Sequence, residues 1–123
     1  MTPTYLTPDP DQINALVELP LDGPVVMLNL LKFRPDGGAE EYANYASLAQ
    51  PFLEKAGASL RYLGDVAVTL IGGEEWDEAI LVQYPSKQAF LDMTGHPEYP
   101  SDVRRNAVVD SRLYCMQDRN PVA

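Results

Sequence analysis

Residues 25–33 read Val-Val-Met-Leu-Asn-Leu-Leu-Lys-Phe, an almost continuous apolar run that only Asn29 and Lys32 interrupt. Gly23-Pro24 precedes the run and Arg34-Pro35 follows it. An apolar segment of this length between two turn signals is typical of a central strand buried on both faces. We therefore expect it to lie in the middle of a sheet, with further strands on both sides.

Apolar residues at helical spacing predict helices in the rest of the chain, and shorter apolar runs predict strands. The predicted helices cover residues 11–19, 39–56, 87–94 and 102–107, and the further strands cover residues 60–71, 76–84 and 108–117. Ser86 and Gly95 are the predicted cap and stop of the third helix. Pro51 lies inside the second helix, where its missing N–H predicts a kink or a break. The strands over 60–71 and 76–84 are expected to pair antiparallel through a hairpin loop at 72–75.

After the first helix the order is strand, helix, strand, strand, helix, strand. This order predicts an α+β, ferredoxin-like βαββαβ fold with a four-stranded antiparallel sheet and both helices on one face. The other face would expose strands that are apolar on both sides, so we expect a homodimer in which two sheets face each other, a dimeric α/β barrel. The predicted organisation is an N-terminal extension with a short helix over 1–23, the domain over 24–118 and a tail over 119–123.

The charge and the cysteine count exclude several classes of function. The 123 residues carry 18 acidic and 9 basic side chains, a net charge of −9, which disfavours nucleic acid and anionic membrane surfaces as partners. The single cysteine, Cys115, allows no intrachain disulfide and favours a cytoplasmic location. No segment resembles a signal peptide or a membrane span. No Cys-x-x-Cys, His-x-x-x-His or Ser-His-Asp pattern is present, so we predict no metal and no cofactor.

Several short motifs, in order, are similar to a known bacterial family. They are Met27–Phe33, Tyr42–Tyr45, Ala79–Ser86 with Ala89-Phe90, Pro97–Tyr99, Arg104 and Asp110–Leu113. Over about residues 24–118 the chain resembles the family known as domain of unknown function 1330, in the dimeric α/β-barrel superfamily. The resemblance implies the fold, dimerisation and a pocket between sheet and helices. Related barrels use that pocket for cofactor-independent oxidation of aromatic compounds, for isomerisation or for haem chemistry.

His96 is the only histidine and therefore the candidate general acid or base. It follows the third helix in Gly95-His96-Pro97, where an imidazolium would also interact favourably with the helix dipole. The structural interpretation is favoured over the catalytic one. A lone histidine argues against zinc and leaves a single axial haem ligand as an alternative.

The arginines are the candidate anchors for an anionic ligand, because a guanidinium binds a carboxylate or phenolate through two parallel hydrogen bonds. Arg61, Arg104 and Arg112 are singled out, and ion pairing with surface carboxylates is the alternative for each. Arg104 is preferred because it follows the Pro97–Tyr99 loop. Whether Arg104 or Arg105 faces the pocket is left open.

Asn29 and the aromatic residues complete the predicted site. A buried amide such as Asn29 must be hydrogen-bonded, either to the protein or to a ligand. The aromatic candidates for the pocket, with ordinary core packing as the alternative, are Tyr42, Tyr45, Tyr62, Trp76 and Tyr99. The acidic cluster at 74–78 is interpreted as solvated charge rather than a cation site, and Cys115 as a buried apolar residue rather than a nucleophile.

These residues lead to three functional hypotheses. The first is a homodimer that binds a small organic molecule, aromatic or carboxylate-bearing, in the pocket between sheet and helices. The second is a cofactor-independent oxygenase or isomerase that uses the same pocket, with His96 or a tyrosine transferring the proton and Arg104 stabilising an anion. The third is a non-catalytic dimerisation or interaction module.

Overall fold

The protein is described here by a computed structural model over residues 4–119. The first three residues of the predicted extension, and all of the predicted tail except Arg119, lie outside the described residues. The elements are α1 (Pro10–Glu18), β1 (Val25–Phe33), α2 (Gly38–Ala56), β2 (Ser59–Asp65), β3 (Glu78–Tyr84), α3 (Lys87–Thr94), α4 (Ser101–Ala107) and β4 (Val108–Met116). None of the helices within residues 4–119 is both long enough and apolar enough to cross a bilayer.

The four strands form one antiparallel sheet in the order β2-β3-β1-β4. The apolar run of β1 lies between β3 and β4, which explains why it needs apolar side chains on both faces. The βαββαβ order and this strand order are those of the ferredoxin-like fold, so the predicted fold class is confirmed.

The two faces of the sheet differ in what covers them. Val25, Met27 and Leu31 of β1 are at most 2% exposed and point to the side that carries the helices, where they meet Phe90 and Met93 of α3 or the end of α4. Because side chains alternate along a strand, Leu28 and Leu30 point to the opposite side. We call that side the helix-free face; on it lie Leu28, Leu30, Tyr62, Leu81 and Tyr114.

Helix α2 runs unbroken through Pro51. Its ends are set by Gly37 and Gly57, whose φ values of 79° and 75° belong to the left-handed region that glycine adopts most readily. The predicted break at Pro51 does not occur. The ring deprives the Ser47 carbonyl of its helical partner, and Ser47 is exposed, so water can supply a replacement.

The hairpin between β2 and β3 is longer than predicted. The strands expected over 60–71 and 76–84 end at Asp65 and begin at Glu78, and residues 66–77 form a loop instead. Asp77 closes this loop: its N–H donates to the Leu31 carbonyl at 2.8 Å, and its Oδ2 accepts from the Phe33 N–H at 2.8 Å. The apolar residues Val68, Leu70 and Ile71, which suggested a strand, are exposed.

Helix α1 is capped at both of its ends, and the cap at its C-terminal end attaches it to the rest of the domain. Asp9 is its N-cap, with Oδ1 accepting from the Asp11 N–H at 2.7 Å. At the other end the Lys87 ammonium donates to the carbonyls of Leu16 and Val17 at 3.0 and 2.8 Å, and to that of Leu19. No residue of α1 is fully buried, so these caps hold the helix where packing alone is weak.

The remaining predicted elements are close to those observed. Ser86 caps α3, with its Oγ accepting from the Ala89 N–H at 3.1 Å, and Gly95 follows the last helical residue. The predicted turn at 102–107 is α4, and the final strand ends at Met116.

Candidate functional site

A cavity of about 830 Å³ lies between the helix side of the sheet and helix α2. Helix α2 packs mainly on α4 and α3 and only sparsely on the sheet, so a space remains between them. Four of the nine α2 residues that line this space are alanines: Ala39, Ala43, Ala46 and Ala49. The alanines leave volume that longer side chains would fill, and they give the cavity a largely apolar wall.

The floor of the cavity comes from the central strands. Met27 and Asn29 of β1 lie beside Ile80 and Val82 of β3, with Asn29 directly opposite Ile80 in the sheet register. The roof comes partly from the N-terminal segment, which contributes Leu6 and Ile13 among other residues. Exposed Leu60 and Leu63 of β2 lie at the open side. A small organic molecule could enter there and lose most of its contact with water.

Arg104 supplies the only positive charge among the described residues that line the cavity. Its Nη2 donates to Asn29 Oδ1 at 3.1 Å, and its side chain is half-buried. No carboxylate of residues 4–119 lies within ion-pair distance of it. Arg105, in contrast, forms a 2.6 Å ion pair with Asp102 at the surface. The question of which arginine faces the pocket is thereby answered: it is Arg104.

The position of Arg104 follows from how closely α4 packs against α2. A Cβ on Gly38, the first residue of α2, would lie only 2.5 Å from the Ala107 carbonyl oxygen at the end of α4. Only glycine, which has no Cβ, allows the two helices to come this close. The Arg34 N–H also donates to the Ala107 carbonyl at 2.9 Å, which fixes the end of α4 to the end of β1. Helix α4 is therefore held so that Arg104 reaches the middle of β1.

Four tyrosines line the cavity near Arg104. The hydroxyls of Tyr45 and Tyr99 contact each other, and the two rings meet edge to face with centroids 6.1 Å apart. The Tyr42 ring packs against the Tyr45 ring with centroids 5.1 Å apart, and Tyr84 lies on β3. Burial raises the pKa of Tyr99 to about 12 and raises the pKa of Tyr42, Tyr45 and Tyr84 further still. At neutral pH these phenols are protonated, so they can donate hydrogen bonds but cannot act as bases.

Two carboxylates line the cavity together with Arg104: Glu54 of α2, which accepts a hydrogen bond from Gln50 Nε2 at 3.2 Å, and Glu78 of the sheet. Glu78 lies on β3 beside Asp65 of β2 and is half-buried. Burial and the neighbouring Asp65 charge raise the pKa of its carboxyl. Within residues 4–119 its side chain takes part in no ion pair and no hydrogen bond, in contrast to most of the other acids near it.

Several of the residues predicted for the site lie elsewhere, and one of them, Tyr62, is on the helix-free face. Arg61 is bound to Gln83 and Asp118, each at 3.0 Å, at a separate depression near the chain ends. Trp76 stacks on Arg112 on the opposite side of the sheet. His96 is exposed, accepts the Glu98 N–H on Nδ1 at 3.0 Å and packs its ring on Phe52. The candidate acid or base is thus not brought to the cavity.

Asn29, Tyr42, Tyr99 and Arg104 are brought together, as the sequence suggested. Glu78 and Tyr84 were missed, although the alternation Glu78, Ile80, Val82, Tyr84 along β3 places both on the side of Asn29. The contribution of Leu6 and Ile13 could not be foreseen, because the docking of α1 depends on the distant Lys87.

The remaining candidate groups have structural contacts. Glu74 pairs with Arg112, and Asp77 accepts from a backbone N–H, so the acids at 74–78 point to different partners. No group of three or more potential metal ligands converges within the described residues. Cys115 is half-buried against the main core cluster, and burial raises the pKa of its thiol, which lowers its reactivity at neutral pH.

Comparison with known proteins identifies relatives in structure. The RPA0582 protein of Rhodopseudomonas palustris, a protein of unknown function, is 32% identical over 97% of this chain and 100% of its own, with a TM-score of 0.88. A dimeric ferredoxin-like protein of unknown function from Jannaschia sp. CCS1 is 13% identical over 78% of this chain and 100% of its own, with a TM-score of 0.59. SnoaB, a cofactor-independent oxygenase from Streptomyces nogalater, is 17% identical over 80% of this chain and 96% of its own, with a TM-score of 0.57.

The last two similarities, at 13% and 17% identity, show the fold alone. No family model and no curated protein matches the chain. The similarity to the Rhodopseudomonas protein extends over nearly the whole of both chains and includes all the elements around the cavity. The chain belongs to the same family as the RPA0582 protein of Rhodopseudomonas palustris.

Proposed function

We propose that this protein binds a small organic anion, with an apolar or aromatic body and a carboxylate, in the cavity between α2 and the sheet. The observation that carries the proposal is the state of Arg104. It is a half-buried guanidinium in a largely apolar cavity, and its partners within residues 4–119, the Asn29 amide and the Tyr42 hydroxyl, are both neutral.

A charged group in such surroundings is stabilised when it meets an opposite charge with good hydrogen-bond geometry. Three other arginines already form ion pairs with carboxylates: Arg61, Arg105 and Arg112. Arg104 keeps its N–H donors for a group that enters the cavity. The protonated phenols of Tyr42, Tyr45 and Tyr99 add neutral donors beside it, which suits an anion and disfavours a second cation.

We propose further that the chain is a bacterial, cytoplasmic homodimer of the domain of unknown function 1330 family. The motifs quoted above support the family, and the single cysteine supports the location. The support for the dimer is the helix-free face, on which Tyr62 and Tyr114 are 54% and 48% exposed beside Leu28, Leu30 and Leu81. Proteins with this fold from Jannaschia and Thermobifida fusca are described as dimeric.

The test of ligand binding compares two adjacent arginines. Titration calorimetry with 4-methylphenylacetate, an aryl carboxylate of suitable size, should show binding to the wild-type protein. Arg104→Gln should weaken that binding by about 100-fold, because a buried carboxylate would lose its charged partner. Arg105→Gln, which alters only a surface ion pair, should leave the affinity unchanged.

Equal affinities for the two variants would contradict the role of Arg104. If the wild-type protein binds none of a panel of aryl and alkyl carboxylates, the proposed ligand class is wrong. That result would favour the third hypothesis, a non-catalytic dimerisation module.

A second candidate function is a cofactor-independent oxygenase or isomerase that uses the same cavity. The observation that favours it is the group of N–H and O–H donors from Arg104 and the tyrosines, which could stabilise negative charge that develops on a bound substrate. The fold shared with SnoaB is consistent with this candidate. Oxygen consumption or product formation with a bound aryl carboxylate, abolished in Arg104→Gln, would support it over simple binding.

A further inference from the structure

Two opposite charges face the same cavity without neutralising each other. Arg104 is hydrogen-bonded to Asn29, and Glu78 has no ion pair within residues 4–119. Their separation therefore exceeds ion-pair distance, although both influence the same Tyr42 hydroxyl: Arg104 lowers its pKa and Glu78 raises it.

The sheet register gives the spacing between Glu78 and Asn29, the residue to which Arg104 is hydrogen-bonded. Asn29, which holds Arg104, lies opposite Ile80, and Glu78 is two residues from Ile80 on the same face of β3. Asn29 and Glu78 are thus diagonal neighbours across two strands, and such pairs are roughly 7–8 Å apart. This is on the scale of one benzene ring with a substituent at each end.

The negative side is reinforced by the neighbouring strand. Asp65 is the cross-strand partner of Glu78, so a second carboxylate lies beside Glu78 just outside the cavity lining. Burial, and after it the like charge of Asp65, raises the pKa of Glu78. An ammonium group placed here would relieve that repulsion, while a carboxylate would increase it.

Resting on the proposed function, we propose that the ligand is dipolar: its carboxylate meets Arg104 and its ammonium meets Glu78, with an apolar or aromatic spacer between them. A ligand of this kind neutralises both Arg104 and Glu78, whereas a simple anion neutralises Arg104 and is repelled by Glu78. The cavity is then selective for amino acids with separated charges over plain carboxylic acids.

The test compares two probes that differ in one group, 4-(aminomethyl)phenylacetate and 4-methylphenylacetate. The wild-type protein should bind the aminomethyl probe about 10-fold more tightly, since a half-exposed charge pair contributes modestly. Glu78→Gln should bring the two affinities together without weakening the methyl probe. Glu75→Gln, which removes an exposed carboxylate outside the cavity, should keep the preference, and Arg104→Gln should weaken both probes.

A neutral probe of the same shape makes the test independent of any variant. In the wild-type protein 4-(hydroxymethyl)phenylacetate should bind like the methyl probe, because its hydroxyl carries no charge for Glu78. The dipolar proposal is overturned if the methyl probe binds as tightly as the aminomethyl probe, or if Glu78→Gln keeps the preference. If none of the three probes binds, the proposed function itself fails, and the dipolar ligand fails with it.

Discussion

The two faces of the sheet each carry an arginine, and the two arginines differ in almost every respect. Arg112, on the helix-free side, is 15% exposed and pairs with Asp110 at 2.8 Å and with Glu74 at 2.7 Å. Its guanidinium also lies 4.8 Å from the Tyr5 ring and 4.9 Å from the Trp76 ring. Arg104, on the helix side, has neutral partners in the Asn29 amide and the Tyr42 hydroxyl.

This difference indicates that the charge of Arg112 has a structural role, whereas the proposed function gives the charge of Arg104 to a ligand. Arg112 joins the N-terminal segment, the 66–77 loop and β4, and its charge is fully compensated by those contacts. Arg104 is hydrogen-bonded to neutral groups, the Asn29 amide and the Tyr42 hydroxyl. The sequence favours Arg104 only through its place after the Pro97–Tyr99 loop, and the partners of the two arginines in the folded protein show the difference between them.

The largest expected effect concerns the helix-free face. Leu81→Arg places a charge in the middle of the apolar patch of this face and should convert a dimer, about twice the 13.6 kDa of one chain, into a monomer. Light scattering after size exclusion measures the mass. Leu48→Arg, at an exposed position of α2, is the control and should remain dimeric. A wild-type protein that elutes as a monomer would contradict the assignment of this face.

The second prediction compares the contributions of Arg112 and Arg104 to the free energy of unfolding. Arg112→Gln should lower the free energy of unfolding by about 1–3 kcal/mol, because two carboxylates lose their partner and two rings lose a cation. Arg104→Gln should change it by less than about 0.5 kcal/mol, since no ion pair is broken. Denaturant titrations at one protein concentration give both values. Equal losses of stability would show that Arg104 is structural too.

The smallest expected effect is the acid stability of the Arg112 network. Burial raises the pKa of Asp110, but hydrogen bonds from the Tyr5 N–H, Arg112 and the Ser111 N–H outweigh it and hold the pKa below its usual value. A lowered folded-state pKa stabilises the protein above the unfolded-state pKa of about 3.9, and this contribution is lost as the pH falls through the folded-state pKa.

Asp110→Asn should therefore show a shallower loss of stability below about pH 4 than the wild-type protein does. Urea denaturation between neutral and acid pH measures the slope. Asp102→Asn removes an exposed carboxylate and should keep the wild-type slope. An identical slope in Asp110→Asn would show that Asp110 does not contribute to the acid dependence.

The sequence predicted the fold because its strongest signals are local. The run Val25–Phe33, the Ser86 cap and the glycine after α2 each report on the conformation of their own segment, and together they predict the βαββαβ order. The 66–77 loop was misjudged as strand because Val68, Leu70 and Ile71 are apolar yet exposed. Apolar content alone does not distinguish a buried strand from an exposed loop.

The candidate site was predicted only in part, because it depends on contacts between distant segments. Asn29 was recognisable as a polar residue in an apolar strand, and Arg104 by its place after the Pro97–Tyr99 loop. The exclusion of His96 was not foreseeable, since it depends on the direction in which the chain leaves α3. The position of Glu78 follows from the register of β3 against β1, which the sequence does not specify.

The attachment of the N-terminal segment separates the stability of the domain from the shape of its cavity. Leu6 and Ile13 roof the cavity, yet α1 has no fully buried residue and is held largely by the caps that Asp9 and Lys87 provide. Substitutions in this segment can change which molecules fit without disturbing the packed strands beneath. Members of the family could thus diversify in ligand by exchanging a dozen residues while they inherit the same sheet.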